Sequence, residues 1–343
     1  MPLPSRRAVL AGASLAALAA CGQRRASGER HVNVYSARHY DSDRRIYALF
    51  TERTGIDVRV LPANGDQLIE RLRQEGDQTE ADLIVTVDGG NLWRLTEAGL
   101  LQATTSPALE TAVPSRFRDA QNRWWAFSKR IRIIAARRDA GVAIQSMDEL
   151  SEARFRGQIC ARSSSNTYNL SMMAARIERL GRANALAWAR GVRENFARPP
   201  QGGDIEQLRA IAAGTGSIAI TNHYYLLRLQ QSADSAERAV AAALAPIVPD
   251  QRGAGVHVNI SGAGVSAHAR RRDEAVQLLE FLVTPEAQRV VQELNLEFPI
   301  RPDTALLAPL AALGRFHEEQ IPFDALGRRQ SEAARVYEEA GWL

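Results

Sequence analysis

Apolar positions along the chain recur in two rhythms that take turns. "HVNVYS" (31–36) is a short β-branched run, and it gives way to helical spacing over 43–54. "IDVRVLPA" (56–63) leads into "DQLIERLRQEG" (66–76), and "ADLIVTVD" (81–88) into "NLWRLTEAG" (91–99). Short apolar runs alternating with amphipathic helices predict parallel βαβ units, an α/β class. "RWWAFSKRIRIIAARRD" (123–139) has no helical period and predicts one long strand able to cross between two lobes. A second alternating set follows. "GQICARSS" (157–164) precedes the helix "YNLSMMAARIERLG" (168–181), with a further helix over 183–197 and another, "DIEQLRAIAAGTG" (204–216), closed by its glycines. "SIAIT" (217–221) is a strand that runs into "HYYLLRLQQ" (223–231). "VHVNISGAGVSA" (256–267) predicts a strand pair returning to the first set. Helices over 273–294 and 329–342 close the chain, and no internal repeat is evident.

The N-terminus breaks this pattern. Arg6 and Arg7 precede thirteen apolar or small residues, Ala8 to Ala20, and then Cys21. That run is short of the roughly 20 residues that span a bilayer, and suits an export signal. "SRRAVL" resembles a twin-arginine address, and "LAAC" (18–21) resembles a lipobox with Cys21 as the lipidated residue; the alternative is a plain signal cut near Ala20. Residues 1–20 are therefore expected to be a signal peptide. Residues 21–30 would be a tether to a membrane, and the remainder a periplasmic domain. The formal charge of +4 falls to +2 without the two signal arginines. Lys129 is the only lysine, and the arginines are scattered among acids. No footprint for nucleic acid results. Cys160 is the one other cysteine, so no disulfide is expected and thiolate metal clusters are excluded. It reads as a buried small hydrophobe.

The candidate chemistry lies at three joints of similar design. In "SARHYDSDR" a strand ends at His39 and Tyr40, followed by Asp41, Ser42 and Asp43 and a helix. In "SSSNTYN" a strand ends in Ser163 to Asn166, with Tyr168 at the start of a helix. In "TNHYY" Thr221 and Asn222 precede His223, Tyr224 and Tyr225. Ser, Thr, Asn and Asp favour helix N-caps, and open α/β sheets bind ligands beyond the carboxyl ends of their strands. A phenol has a pKa of about 10, so ionising several at neutral pH needs a strongly charged cation. Tyr40, Tyr168, Tyr224, Tyr225 and His39 would form a hard, oxygen-rich site for which ferric iron is the natural guest. Four phenolates exceed a trivalent charge by one, so Arg38 and Arg130 are candidates for the surrounding shell. Two adjacent tyrosines reach one metal only where the backbone bends, which a strand-to-helix joint provides. His223 is left outside the set, and Tyr35 and Tyr47 read as packing.

At these residues the chain resembles the iron-binding subfamily of bacterial extracellular solute-binding proteins, the ferric substrate-binding proteins of ABC importers. The cyanobacterial type is the nearest in pattern. "VYSARHYDSD", "VDGGNLWRLTEAGLLQ", "FSKRIRII", "RSSSNTYN", "NFARPPQGGD", "TNHYY" and "HVNISGAGV" carry the resemblance in order, over about residues 31–343. It implies a two-lobed type II periplasmic-binding fold with a hinge. Residues 31–130 plus 255–303 would form the N-terminal lobe, and 131–254 plus 304–343 the C-terminal lobe. It further implies Fe3+ held in the interlobe cleft by Tyr40 from one lobe and by Tyr168, Tyr224 and Tyr225 from the other. His39 is a ligand in some relatives only. Some relatives also use an acid, for which the loop "ANGDQ" offers only Asp66. The implied partners are an ABC permease and its ATPase, with the protein a monomer held by its lipid anchor. The rival readings are a same-fold binder of a polyamine, phosphonate or thiamine, for which Ser163 to Ser165 could serve an anion; an enzyme; and a purely structural lipoprotein. No G-x-S-x-G elbow, H-E-x-x-H motif or P-loop supports an enzyme.

Overall fold

Strand β1 (His31–Ser36) buries Val32 and Val34 completely and sits between two parallel neighbours, β2 (Asp57–Pro62) and β3 (Leu83–Thr86). The structure is a computed structural model that describes residues 30–38 and 40–342. The signal, residues 21–29 of the tether with Cys21, and His39 therefore lie outside the described residues. Helix α1 (Asp41–Thr54) joins β1 to β2, and α2 (Gly65–Glu75) joins β2 to β3. After β3 comes α3 (Gly89–Glu97), so the expected βαβ series is present. The LIVT run of β3 is buried at every position, as a strand covered on both faces must be.

Strand β4 (Trp125–Arg137) carries the chain from one half of the molecule to the other. Its first half pairs antiparallel with β8 (Val258–Val265), through Arg130 opposite Asn259 and Ile131 opposite Val258. From Arg132, opposite Asn222, to Ala136 it pairs instead with β6 (Ile218–Asn222). The remaining strands are β5 (Ile159–Cys160), β7 (Leu244–Ile247) and β9 (Phe298–Pro299). The sheet order is β2-β1-β3-β8-β4-β6-β5, with β7 and β9 also paired to β4. At the change of partner the Arg132 N–H donates to the His257 carbonyl (3.0 Å), so both crossing segments meet there. This is the two-lobed arrangement, with the crossing strands as the hinge.

The 256–267 segment forms one strand, not the expected pair. β8 is buried along its whole length, paired with β3 and β4 at its two edges and packed against α3. A Cβ on Gly264 would lie 2.5 Å from the Arg123 carbonyl oxygen, and one on Gly262 would lie 2.7 Å from Leu92. Glycine in this strand admits a neighbour that a side chain would exclude. The single helical run expected over 273–294 is also interrupted. Helix α8 (Arg272–Leu282) stops, and Thr284 caps a new turn at Pro285–Val290. Proline is accommodated at a first helical turn and not within a helix.

The second half packs α4 (Thr167–Leu180), α5 (Arg182–Glu194), α6 (Asp204–Ala212) and α7 (His223–Gln231) around β5 and β6. Trp188, Tyr337 and Trp342 form its aromatic centre, and Phe50 against Phe281 (5.6 Å between rings) that of the first half. The tail does not keep to one side. Helix α9 (Phe323–Arg328) packs on α3 and on α4, whereas α10 (Gln330–Ala340) lies on α4 and α5. Cys160 is buried, as expected, with its thiol donating to the Thr215 carbonyl. Among the described residues no helix is long and apolar enough to cross a membrane.

Candidate metal centre

Each of the four tyrosines sits where a strand hands over to a helix. Tyr40 is the residue before α1, and the Asp43 carboxylate accepts its backbone N–H (3.4 Å). Tyr168 is the second residue of α4, whose cap is Asn166: the Asn166 side-chain oxygen accepts the Tyr168 N–H (3.0 Å). Tyr224 and Tyr225 follow His223, the first residue of α7. The bend between β6 and α7 brings the adjacent rings to 4.4 Å, so both phenols point the same way. The capping expectation holds only at the middle joint. Tyr40 itself occupies the cap position at the first. At the third, Asn222 turns its side chain away from the helix N–H groups and donates to the Tyr224 hydroxyl (3.1 Å).

The four hydroxyls converge. Tyr224 donates to the Tyr168 hydroxyl (3.2 Å), and the Tyr40 and Tyr225 phenols lie close enough to that of Tyr168 to perturb its ionisation. Residues separated by up to 185 positions in the chain thus share one oxygen-rich point between the lobes. Tyr224 is wholly buried, whereas Tyr40, Tyr168 and Tyr225 keep part of their surface exposed.

Arginines surround this point. Arg130 is buried, its guanidinium 5.3 Å from the Tyr168 ring, and it donates to the Val87 carbonyl. Its Nε and Nη1 have no hydrogen-bonding acceptor. Arg38 lies 4.5 Å over the Tyr40 ring, paired with Asp43 and Glu297 (2.9 Å each) and bonded to Ser261 Oγ (2.6 Å). Both arginines expected in the surrounding shell are therefore beside the phenols. Burial opposes ionisation of Tyr168, but Arg130, the Tyr224 bond and the neighbouring phenols outweigh it and lower its pKa. Burial, then the neighbouring Tyr168, raises the pKa of Tyr40 and of Tyr225; in Tyr224 burial and the Tyr40 and Tyr168 charges do the same. Of the four phenols Tyr168 is thus the one whose surroundings favour the anion, while those of the other three disfavour it.

Several contributors have weak sequence signals. Arg132, two residues after Arg130 on the same face of β4, bonds Asp204 (2.8 Å), Asn169 (2.8 Å) and Asn222 (3.2 Å). Arg162 holds the other oxygen of Asp204 (2.6 Å) and lies 5.5 Å from the Tyr168 ring. Alternation in "KRIRII" was a usable signal for Arg132; nothing local marks Asp204 or Glu297. Arg228, one turn after Tyr224, lies 4.9 Å from its ring and 5.6 Å from that of Tyr40. His223 packs its ring edge-on against that of Tyr224 (5.6 Å between centroids), but both its nitrogens are bonded to the backbone. Its Nε2–H donates to the Leu296 carbonyl (2.8 Å) and its Nδ1 accepts the Ile131 N–H (3.3 Å). Tyr35 and Tyr47 are buried, as packing residues. Asp66 pairs with Arg94 on the surface, and Ser163 and Ser165 bond each other (2.9 Å). Among the described residues no cluster of His, Cys, Asp and Glu could hold a metal ion, so the phenols are the candidate donors.

Comparison with known proteins fits this geometry. The profile of the bacterial extracellular solute-binding protein family matches residues 45–316. Iron uptake protein A2 of Synechocystis sp. is 39% identical over 337 residues, covering 96% of each chain. Iron uptake protein A1 of the same organism is 38% identical, covering 92% of this chain and 88% of the relative. The Trichodesmium protein IdiA (FutA), solved in complex with iron and citrate, superposes with a TM-score of 0.86 at 40% identity. That match covers 91% of this chain and 100% of the other.

Proposed function

The chain belongs to the bacterial extracellular solute-binding protein family, and from that premise we propose that it captures ferric iron between its lobes and delivers it to an ABC permease driven by its ATPase. One observation carries the reading: four phenol oxygens from distant strand ends meet at one interlobe point ringed by buried arginines. The similar proteins at 30% identity or more whose names state a cargo name iron, which favours iron over a polyamine, phosphonate or thiamine.

In this reading Tyr40, Tyr168, Tyr224 and Tyr225 are the ligands. His39 is a fifth donor by its position beside Tyr40. Ferric iron is the cargo and not a resident cofactor. It replaces the phenolic protons, Tyr168 ionising first because Arg130 already favours its anion. Arg130 and Arg38 then offset the excess negative charge of four phenolates. The site binds and releases, with no catalytic step. We read 31–130 plus 255–303 as the first lobe and 131–254 plus 304–343 as the second, a reading that the change of partner along β4 near Arg132 supports at the first boundary. Lipidation of Cys21 would hold a monomeric protein at a membrane outside the cytoplasm.

The test is metal analysis and the visible spectrum of the full chain purified from iron-replete cells. About one iron per chain with an orange phenolate-to-iron band is expected, lost on acidification because protons compete for the ligands. Colourless, iron-free protein that also fails to take up added Fe3+ would refute the reading.

A further inference from the structure

Asp88 ends the β3 segment and begins α3, and its side chain is completely buried. No cation pairs with it among the described residues. One oxygen, Oδ1, caps α3 by accepting the Asn91 N–H (3.2 Å). The other, Oδ2, accepts two side-chain donors. Asn259 Nδ2, on the crossing strand β8, donates at 2.6 Å, and Ser171 Oγ, on α4, donates at 2.5 Å. Asn259 is itself oriented, because its Oδ1 accepts the Gly89 N–H (3.0 Å). Asn91, Gly89 and Asn259 all belong to the lobe that carries Asp88. Ser171 alone comes from the facing lobe, and it lies one helical turn beyond Tyr168 on the same side of α4.

We propose that Asp88 and Ser171 are positioning residues that hold the closed lobes together and so set how slowly the cargo leaves. The proposal rests on the ferric-iron reading for its cargo and on the interlobe geometry for the rest. Closure delivers the Ser171 hydroxyl to a buried carboxylate already fixed by donors from its own side. Opening withdraws it with α4, while the cap of α3 and the Asn259 bond stay in place. The contact therefore differs between the two states, as any element that biases a closure equilibrium must. Because Ser171 and Tyr168 share one rigid helix, the same bond registers the Tyr168 phenol against Tyr40.

The experiment compares wild type with Ser171→Ala in the full chain. Ferric iron is loaded, then removed by excess EDTA while visible absorbance is followed, and small-angle scattering is recorded with and without iron. A hydrogen bond to a charged group of this kind corresponds to a roughly tenfold faster release, with the uptake rate unchanged and the iron-free melting temperature within the wild-type range. The iron-free variant should also scatter as a more open particle than iron-free wild type. Equal release rates together with equal scattering overturn the proposal. So does a fall in iron-free melting temperature with slowed uptake, since that marks Ser171 as merely structural. If wild-type protein takes up no iron, the cargo reading fails, and the iron-free scattering comparison still decides the role of the Asp88–Ser171 bond.

Discussion

Tyr224 differs from its three companions in having no solvent contact, and its hydroxyl is held by Asn222 on one side and Tyr168 on the other. Tyr225, next to it on the same helix turn, keeps an exposed edge. Replacing either by phenylalanine removes one oxygen donor and leaves the ring packing. Tyr224→Phe and Tyr225→Phe should each weaken ferric affinity at least about tenfold, the order expected for losing a charge-assisted ligand, and should weaken the visible band. Competition with a chelator checks this; unchanged affinity in the double variant would remove these residues from the site. The four phenols were readable in the sequence because each stands beside turn-forming residues at the end of an apolar run. The arginines were only half readable. Arg38 and Arg130 are close in sequence to a joint or to the crossing strand. Glu297, which steadies Arg38 at 2.9 Å, comes from 259 residues away, and no local pattern announces that meeting.

At the scale of elements, the hinge depends on more than its two strands. The tail returns to it: the Glu319 N–H donates to the Val256 carbonyl (2.9 Å), and the Val256 N–H to that of His317 (2.9 Å). The Glu319 carboxylate bonds His257 Nδ1 (3.1 Å) and Arg179 Nε (3.2 Å) at the end of α4. Burial pushes the Glu319 pKa up, but the His257 bond and the charges of His257, Arg179 and Arg176 prevail and lower it. A carboxyl with a depressed native pKa stabilises the fold above its unfolded value of about 4.3 and loses that contribution as pH falls through the native value. Glu319→Gln should therefore cost about 2 kcal/mol at pH 7, and the gap from wild type should narrow on acidification below pH 4. Urea unfolding at both pH values measures it, and a constant gap would mean that Glu319 is not ionised in the native protein. Elements defined by local rhythm, such as β1, α1 and the long β4, were legible from the chain. The segment 258–265 is a single strand where a pair is expected from the sequence, and its glycines serve close packing against Arg123 and Leu92.

For the whole molecule, the sequence pattern supplied two alternating sets and one long strand between them, enough to expect two lobes and a cleft. It did not show how the tail would sit. Helix α9 touches both α3 and α4, and Gly327 and Gly90 let its backbone approach that of α3: a Cβ on Gly327 would lie 2.8 Å from the Gly90 oxygen. The tail thus straddles the division that β4 makes, and closure must carry or slide that contact. In the proposed reading such closure brings Tyr40 onto the three phenols of the facing lobe, so that the site is complete only between lobes. The direct measurement is a titration of Fe3+ into iron-free protein, followed by visible absorbance and by bound-metal content on the same samples. The account predicts a phenolate-to-iron band that rises linearly and stops at one iron per chain. Saturation without a band, or a band absent at any iron content, would contradict it.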